Sequence, residues 1–179
     1  MNEPDESTIF GIFHRAAIPE GATPVENFKL DRYFGKWYEI ARINYYWEDE
    51  NLTNVFAQYS ADEDGDVKVV NTGYNDQKEK WVVMEGKAKY RGDNNLAAFD
   101  VSFFGPIWAG YNVVAIDDDY QNALVFGRNL DYIWLLSREK LMPDAICDKF
   151  LAIAESVGYD ISRLFWVEQN RQYTADDNK

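Results

Sequence analysis

The amino-acid sequence predicts an all-β protein, an eight-stranded antiparallel up-and-down barrel with a C-terminal α-helix packed outside and a short ninth strand. Between residues 35 and 138, short runs of strand-forming residues alternate with turn signals at the spacing of a barrel or sandwich. The sustained helical periodicity comes only after these runs. At 179 residues, the chain is long enough for one domain with a sizeable core.

The amino-acid composition limits which kinds of binding partner we expect. The formal net charge is −13, which argues against nucleic acid or an anionic membrane face as an electrostatic partner. Aromatic residues make up 16% of the chain, so we expect a large core or a lined cavity. The single cysteine, Cys147, predicts no intrachain disulfide. No run reaches the roughly 20 apolar residues of a membrane helix, and the first 25 residues lack an export signal core or an acylatable cysteine.

Residues 1–26 predict an extended N-terminal arm, because they contain three prolines and little periodicity. The first strand then begins at Gly35, where the backbone can take a positive φ or approach a bulky group closely. Trp37 follows, and its indole N–H needs a partner when it is buried. We interpret this stretch as a strand entering a closed sheet and plugging one end of it. The alternative is a surface hairpin with one anchoring tryptophan.

Eight runs predict the barrel strands. Short loops join most of them, which is typical of a meander. The runs are residues 36–43, 54–60, 66–74, 81–90, 96–104, 110–116, 123–128 and 131–137.

The turns between these runs alternate in character. The second, fourth and sixth turns are polar and tight, whereas the odd-numbered turns contain or adjoin aromatic and aliphatic residues. Since successive turns of a meander fall at opposite ends, we predict one closed, water-facing end and one aromatic-rimmed mouth. Local packing of the loops is the alternative for any single residue. The predicted mouth residues are Tyr46, Trp47, Trp81, Trp108 and Tyr111.

The only strong helical pattern follows the eighth run. Pro143 suits a first helical position, and Gly158 is placed to end the helix. The apolar stripe predicts that the helix packs on the outside of the barrel; it consists of Ile146, Phe150, Ile153, Ala154 and Val157. Residues 162–167 predict the ninth strand, and residues 169–179 a polar tail.

Three sequence blocks resemble the signature blocks of the lipocalins. They are Gly35-x-Trp37-Tyr38, then Asp117-x-x-Tyr120, and Leu136-Ser137-Arg138 before a helix. The wider match, which includes Val101-Ser-Phe-Phe-Gly-Pro and Gly158-Tyr-Asp-Ile-Ser, is most similar to the branch that contains Blc and apolipoprotein D. The resemblance covers residues 26–168, so the predicted lipocalin domain is 27–168.

The resemblance implies a calyx for an apolar ligand, closed at one end. It also implies that Arg138 lies over Trp37 in a cation–π contact that seals the barrel, so that Gly35, Trp37, Tyr38 and Arg138 are structural residues. Bacterial members of this branch are outer-membrane lipoproteins anchored through an N-terminal cysteine. By this resemblance we expect the cell envelope, either the periplasm or the outer membrane, as the location. Because no cysteine precedes Cys147, we expect the chain as given to be soluble.

Strand alternation and the resemblance together select the residues expected to line the cavity. Phe99, Val101 and Phe103 alternate with polar neighbours, which supports an inward orientation independently. Elsewhere the pattern is ambiguous, and a one-residue bulge would invert it. The predicted ligand-binding residues are Ala57, Tyr59, Val69, Asn71, Met84, Phe99, Val101, Phe103, Val113, Leu124, Phe126, Arg128, Tyr132, Trp134 and Leu136.

Two charged residues accompany this set. Arg128 shares parity with Leu124 and Phe126, and a cation near the mouth would hold the carboxylate or phosphate of a lipid. The alternative for Arg128 is a solvated loop arginine. Glu39 shares the parity of Trp37 and is expected to point inward.

The sequence contains few candidate residues for a catalytic mechanism. The single histidine, His14, lies in the arm, so neither a nucleophile–histidine pair nor a histidine metal site is expected. We therefore predict no enzyme and no cofactor, but a carrier of fatty acids or lysophospholipids that could approach a membrane. The alternative is a protein-interaction or dimerisation module that uses the aromatic rim. One lipid bound per barrel would distinguish the carrier from the module.

Overall fold

Strands are the main secondary structure of the described chain, which comprises residues 16–43 and 52–178 of the computed structural model. A short helix, α1, precedes the first strand, and a longer helix, α2, separates the eighth strand from the ninth. The elements are α1 Leu30–Tyr33, β1 Gly35–Ile43, β2 Leu52–Ala61, β3 Val67–Asn75, β4 Lys80–Tyr90, β5 Ala98–Phe104, β6 Ile107–Ile116, β7 Asn122–Phe126, β8 Ile133–Ser137, α2 Asp144–Val157 and β9 Phe165–Trp166, with 3₁₀ turns at Ile161–Arg163 and Ala175–Asn178.

The sheet closes on itself as a barrel. Each strand from β1 to β8 pairs antiparallel with the next, and β8 returns to pair with β1. Tyr38 shows the closure, since it faces Phe56 on one side and Ser137 on the other. After Glu39, β1 no longer pairs with β2. Its residues Ala41 and Arg42 pair with β9 instead. The predicted eight-stranded barrel with an added ninth strand is confirmed, and each predicted run overlaps the corresponding strand.

Helix α2 packs on the outer face of the barrel, as its apolar stripe predicts. Pro143 takes the N-cap position rather than the first helical one. Gly158 ends the helix with a φ of 114°, in the left-handed region that glycine adopts without strain. Phe150 and Ala154 are buried against the outward side chains of β7 and β8. None of the helices within the described ranges is long and apolar enough to cross a membrane.

Two separate clusters of buried residues stabilise the fold. The inner core fills the barrel near its closed end and includes Trp37, Val113 and Val125. The outer core lies between the barrel wall and α2 and includes Ile133 and Leu135. Because strands β7 and β8 contribute to both clusters, both of their faces are apolar.

The segment before α1 lies against β5 and β6. Val25 donates a backbone hydrogen bond to Val113 and accepts one from Ala97. The side-chain amide of Asn112 donates to the carbonyl oxygen of Ala17 at 2.9 Å. Gly110 makes this approach possible, because a Cβ at that position would overlap the Ala17 carbonyl.

Candidate functional site

Arg138 and Trp37 close one end of the barrel. The Arg138 guanidinium carbon lies 3.8 Å from the centre of the buried Trp37 ring, which is the contact that the lipocalin resemblance implied. Arg138 also donates hydrogen bonds to the carbonyls of Lys36 and Arg32, each at 2.9 Å. Gly35 has a φ of 101°, and a Cβ there would stand 3.2 Å from the Arg138 Nη1 atom. Gly35, Trp37 and Arg138 therefore form one plug, whereas Tyr38 packs on Phe56 at the outer face of the barrel.

Three tyrosine hydroxyls meet just inside this plug. Tyr111 lies between the other two, with its hydroxyl oxygen 2.5 Å from that of Tyr33 and 2.8 Å from that of Tyr59. Trp37 donates its indole N–H to the Tyr33 carbonyl at 2.8 Å. Burial raises the pKa of Tyr33 and of Tyr111 well above the usual tyrosine value, so both stay neutral at physiological pH. We call these three residues the tyrosine floor.

A narrow cavity of about 110 Å³ extends from the tyrosine floor towards the open end. Typical sites for drug-sized ligands measure roughly 300–1,000 Å³, so this channel suits one slender chain better than a broad ring system. Its lining is mainly apolar and comes from strands on all sides of the barrel. It consists of Glu39, Leu52, Val55, Ala57, Tyr59, Val69, Asn71, Thr72, Gly73, Val82, Met84, Val101, Phe103, Ala109, Gly110, Tyr111, Trp134 and Leu136.

One buried ion pair borders the cavity. The Glu39 carboxylate lies on the cavity wall, 3.2 Å from Nη1 of Arg42, and both side chains are almost fully buried. Arg42 also donates to the Leu52 carbonyl at 2.9 Å and lies over the Phe165 ring. Glu39 therefore points inward, as its parity predicts, and Arg42 compensates its charge.

Nine of the predicted ligand-binding residues lie together on the cavity wall. They come from five strands, β2, β3, β4, β5 and β8, so the predicted inward faces of these strands agree with the placement. The nine are Ala57, Tyr59, Val69, Asn71, Met84, Val101, Phe103, Trp134 and Leu136. Whether they contact a ligand stays a prediction.

Four predicted residues are placed elsewhere. Phe99 and Val113 point into the barrel but belong to the inner core, outside the cavity. Leu124 and Phe126 point the opposite way and pack in the outer core under α2. The inward residues of β7 are Ala123 and Val125. Because all five residues of β7 are buried, alternation could not identify its inner face; the smaller side chains face inward and the larger ones fill the space beneath the helix.

Arg128 and Tyr132 do not line the cavity, because β7 ends at Phe126 and both residues lie in the loop that follows. The Arg128 guanidinium lies over the Tyr132 ring, 5.3 Å from its centre, and donates to the Tyr132 hydroxyl at 3.3 Å. Tyr132 in turn stacks on Trp134, with ring centres 6.4 Å apart. The predicted anion contact of Arg128 is therefore not built into the cavity.

The three predicted mouth residues that the structure describes, Trp81, Trp108 and Tyr111, are not gathered at one rim. Tyr111 lies deep in the barrel as part of the tyrosine floor, because β6 begins at Ile107, three residues earlier than the sequence predicted. Trp81 faces outward and packs on Tyr173. Trp108 is half-exposed at the start of β6, with the Lys89 ammonium over its ring. Tyr46 and Trp47 lie outside the described residues.

Several wall residues were missed by the sequence analysis. Val55, Gly73 and Val82 share the parity of chosen residues on the same strands, so extending each alternation towards the open end would have found them. The others carried no comparable signal, because they lie at strand ends or beside irregular pairing: Leu52, Thr72, Ala109 and Gly110.

The described residues give no support to a catalytic or metal site. They contain no group of three or more histidine, cysteine or acidic residues that could hold a metal ion. The pKa of Cys147 is raised by burial and by the neighbouring Asp148 and Asp144, which disfavours the reactive thiolate. His14 lies outside the described residues.

Comparison with known sequences identifies relatives over most of the chain. A family model described as "Lipocalin-like domain" matches residues 28–169. The chain is 47% identical over 151 residues to "Outer membrane lipoprotein Blc" of Citrobacter freundii, covering 84% of this chain and 85% of the relative. It is 31% identical over 173 residues to "Apolipoprotein D" of Cavia porcellus, covering 88% and 85%, respectively.

Comparison with solved structures gives the same fold. The structure of insecticyanin from the tobacco hornworm Manduca sexta superposes with a TM-score of 0.69 and covers 89% of this chain and 88% of insecticyanin. The sequence identity is 19%, so this likeness concerns the fold alone.

Proposed function

This chain belongs to the lipocalin family, and on that premise we propose that it carries one fatty acid or lysophospholipid molecule in its cavity. Lipocalins are in general proteins that bind or transport small hydrophobic ligands. The observation that carries the proposal is the interior, a small, mainly apolar cavity that ends at the tyrosine floor. An acyl chain matches the apolar lining of such a cavity.

The proposal is of a carrier without catalytic activity. The described residues on the cavity wall include one carboxylate, Glu39, and this group is already paired with Arg42. The other polar groups on the wall, including the Tyr59 and Tyr111 hydroxyls, are neutral hydrogen-bonding groups. By similarity to the relatives named outer-membrane lipoproteins, we propose the cell envelope as the location.

Tryptophan fluorescence of delipidated protein tests the carrier function. Among the described tryptophans, Trp134 is the one on the cavity wall, so an occupant should change its emission. Titration with a long-chain fatty acid or a lysophospholipid is expected to give a saturable change at one molecule per barrel. Trp134→Phe should remove most of the change. Trp166→Phe, which alters an exposed residue of β9, should preserve it.

The second candidate is a protein-interaction or dimerisation module. The observation in its favour is the exposure of apolar side chains near the open end: Ile107, at the start of β6, is 53% exposed, and Leu130, in the loop after β7, is 38% exposed. The same titration separates the two functions. A flat response to both lipids, together with a self-association that Ile107→Ser weakens, would contradict the carrier and support the module.

A further inference from the structure

A second recess lies outside the barrel, between the outer faces of β1 and β2 and the C-terminal segment after β9. This recess is separate from the barrel cavity, because no residue lines both of them. We call it the lateral groove and define it by Lys36, Tyr38, Phe56, Lys140, Arg171 and Tyr173.

Hydrogen bonds to β2 hold the C-terminal wall of the lateral groove in place. The backbone N–H of Asn54 donates to the Glu168 carbonyl at 2.8 Å. The Asn54 side-chain oxygen accepts from the backbone N–H of Arg171 at 2.7 Å. The Tyr173 ring then packs on Phe56 and Trp81, with ring centres 5.8 Å and 5.1 Å away. Arg171 and Tyr173 are thus positioned by the fold.

Aromatic rings, rather than carboxylates, hold the cations of the lateral groove. The Lys36 ammonium lies 4.1 Å from the centre of the Phe56 ring and 4.7 Å from that of Tyr38. The Lys140 ammonium lies over the same Tyr38 ring. The Arg171 guanidinium lies 4.0 Å from the centre of the Tyr74 ring. A ring face attracts a cation but accepts none of its strong hydrogen bonds and leaves its charge intact.

Most side-chain N–H groups of these three cations donate no hydrogen bond to a described residue. Lys36 and Arg171 make no side-chain hydrogen bond to any described residue, and none of the three cations forms an ion pair there. Lys140 uses one N–H, which it donates to the Arg171 carbonyl at 3.1 Å. The described residues that line the groove include no Asp or Glu. Three cations without an ion pair among the described residues therefore line one groove in a protein whose net charge is −13.

We propose that the lateral groove binds a phosphate group, either free phosphate or a phosphorylated head group. Arg171 can donate two parallel hydrogen bonds to one phosphate, and Lys36 and Lys140 supply point charges and further donors. The anion would displace no carboxylate, because none occupies the groove. Arg171 and Tyr173 lie beyond residue 169, where the match to the family model ends, so the groove depends on residues outside the matched part.

Calorimetric titration of the intact protein with inorganic phosphate at neutral pH tests the proposal. We expect saturable binding of one phosphate per chain. Arg171→Gln and Lys36→Gln are each expected to weaken it about tenfold, the effect of losing one charge-assisted interaction. Lys68→Gln is the matched control, because it makes the same charge change at an exposed lysine outside the groove and should leave binding unchanged.

Vesicles of phosphatidylcholine with and without phosphatidic acid identify the source of the phosphate. Binding only to vesicles that contain phosphatidic acid, lost in Arg171→Gln and Lys36→Gln, assigns the site to a lipid head group. Binding of inorganic phosphate without vesicle binding assigns it to a free anion. The proposal is overturned if neither probe binds, or if both groove variants bind as the Lys68→Gln control does. Lys36 lies on β1 and Arg171 in the C-terminal segment, so a local folding defect in one variant would not affect the other.

Discussion

The hydroxyl of Tyr111, on strand β6, lies 2.5 Å from the hydroxyl of Tyr33, on helix α1. Tyr33 also accepts the Trp37 indole N–H on its carbonyl, and Trp37 lies beneath Arg138. The bottom of the barrel cavity and the plug of the closed end are therefore one connected unit. A change at the plug should alter the cavity floor, and the following predictions use this connection.

Replacing Arg138 should destabilise the barrel more than replacing an arginine on the surface. Arg138→Ala removes the cation–π contact and several charge-assisted hydrogen bonds to carbonyls, so we expect the free energy of unfolding to fall by about 2–4 kcal/mol. Urea unfolding at neutral pH measures this change. Arg163→Ala, which breaks the exposed pair with Asp131, should cost less than about 1 kcal/mol. Equal losses in the two variants would contradict the sealing role of Arg138.

The buried Glu39–Arg42 pair should respond differently to single and double replacement. Arg42→Met alone leaves the Glu39 carboxylate buried without its cation, and we expect a loss of about 3–5 kcal/mol in the free energy of unfolding. Adding Glu39→Met removes the stranded charge and should restore much of that stability. Chemical denaturation of both single variants and the double variant tests this. A double variant less stable than either single one would show that the pair itself stabilises the fold.

The tyrosine floor should make the protein less stable at high pH. Burial raises the pKa of Tyr33 and of Tyr111, so the unfolded chain loses these protons first as the pH rises. Their contribution is fully present below the unfolded tyrosine pKa of about 10 and declines above it, by at most about 1.4 kcal/mol per pH unit for each residue.

Denaturant unfolding at several alkaline pH values measures this decline. Tyr111→Phe should lower stability at neutral pH, because it removes two hydrogen bonds, but should make the alkaline decline less steep. Tyr74→Phe is the control, since Tyr74 lies on the outer face of β3, outside the tyrosine floor. An unchanged slope in Tyr111→Phe would contradict the assignment.

A larger side chain on the inner face of β4 should block lipid binding. Val82→Phe places a ring in the channel and is expected to reduce the affinity for a long-chain fatty acid at least about tenfold, because overpacking a narrow site costs roughly 1–3 kcal/mol. Val83→Phe makes the same change on the next residue, which is 39% exposed and points away from the channel. Competition with a fluorescent fatty acid measures both variants. Equal affinities would place the lipid outside the channel.

The order of the strands could be predicted because turn residues at regular spacing are a local signal. The plug was expected from the resemblance to the lipocalins, since the contact between Arg138 and Trp37 joins distant parts of the chain. The interior faces could be predicted only where apolar and polar residues alternate, as in Val101-Ser-Phe of β5. In β7 both faces are apolar, so cross-strand pairing decided the orientation: Val125 pairs with the inward Trp134, and Leu124 with the outward Leu135.

Two features depended on long-range contacts that no local pattern encodes. The register of β6 placed Tyr111 on the cavity floor instead of the mouth, since the strand begins at Ile107. The lateral groove unites Lys36 with Arg171, and their convergence requires the C-terminal segment to cross β2. Sequence analysis assigned that segment only to a polar tail.

The closure of the barrel by its first and eighth strands has a consequence for the order of events during synthesis. The hydrogen bond from Arg138 to the Lys36 carbonyl spans 102 residues, so the plug cannot form until β8 has left the ribosome and returned to β1. Contacts of such high sequence separation form late and slow the folding of β-barrels. A nascent chain that ends before Arg138 has no sealed interior. Under the proposed carrier function, ligand loading follows completion of the barrel, and a folding intermediate without the plug should retain no ligand.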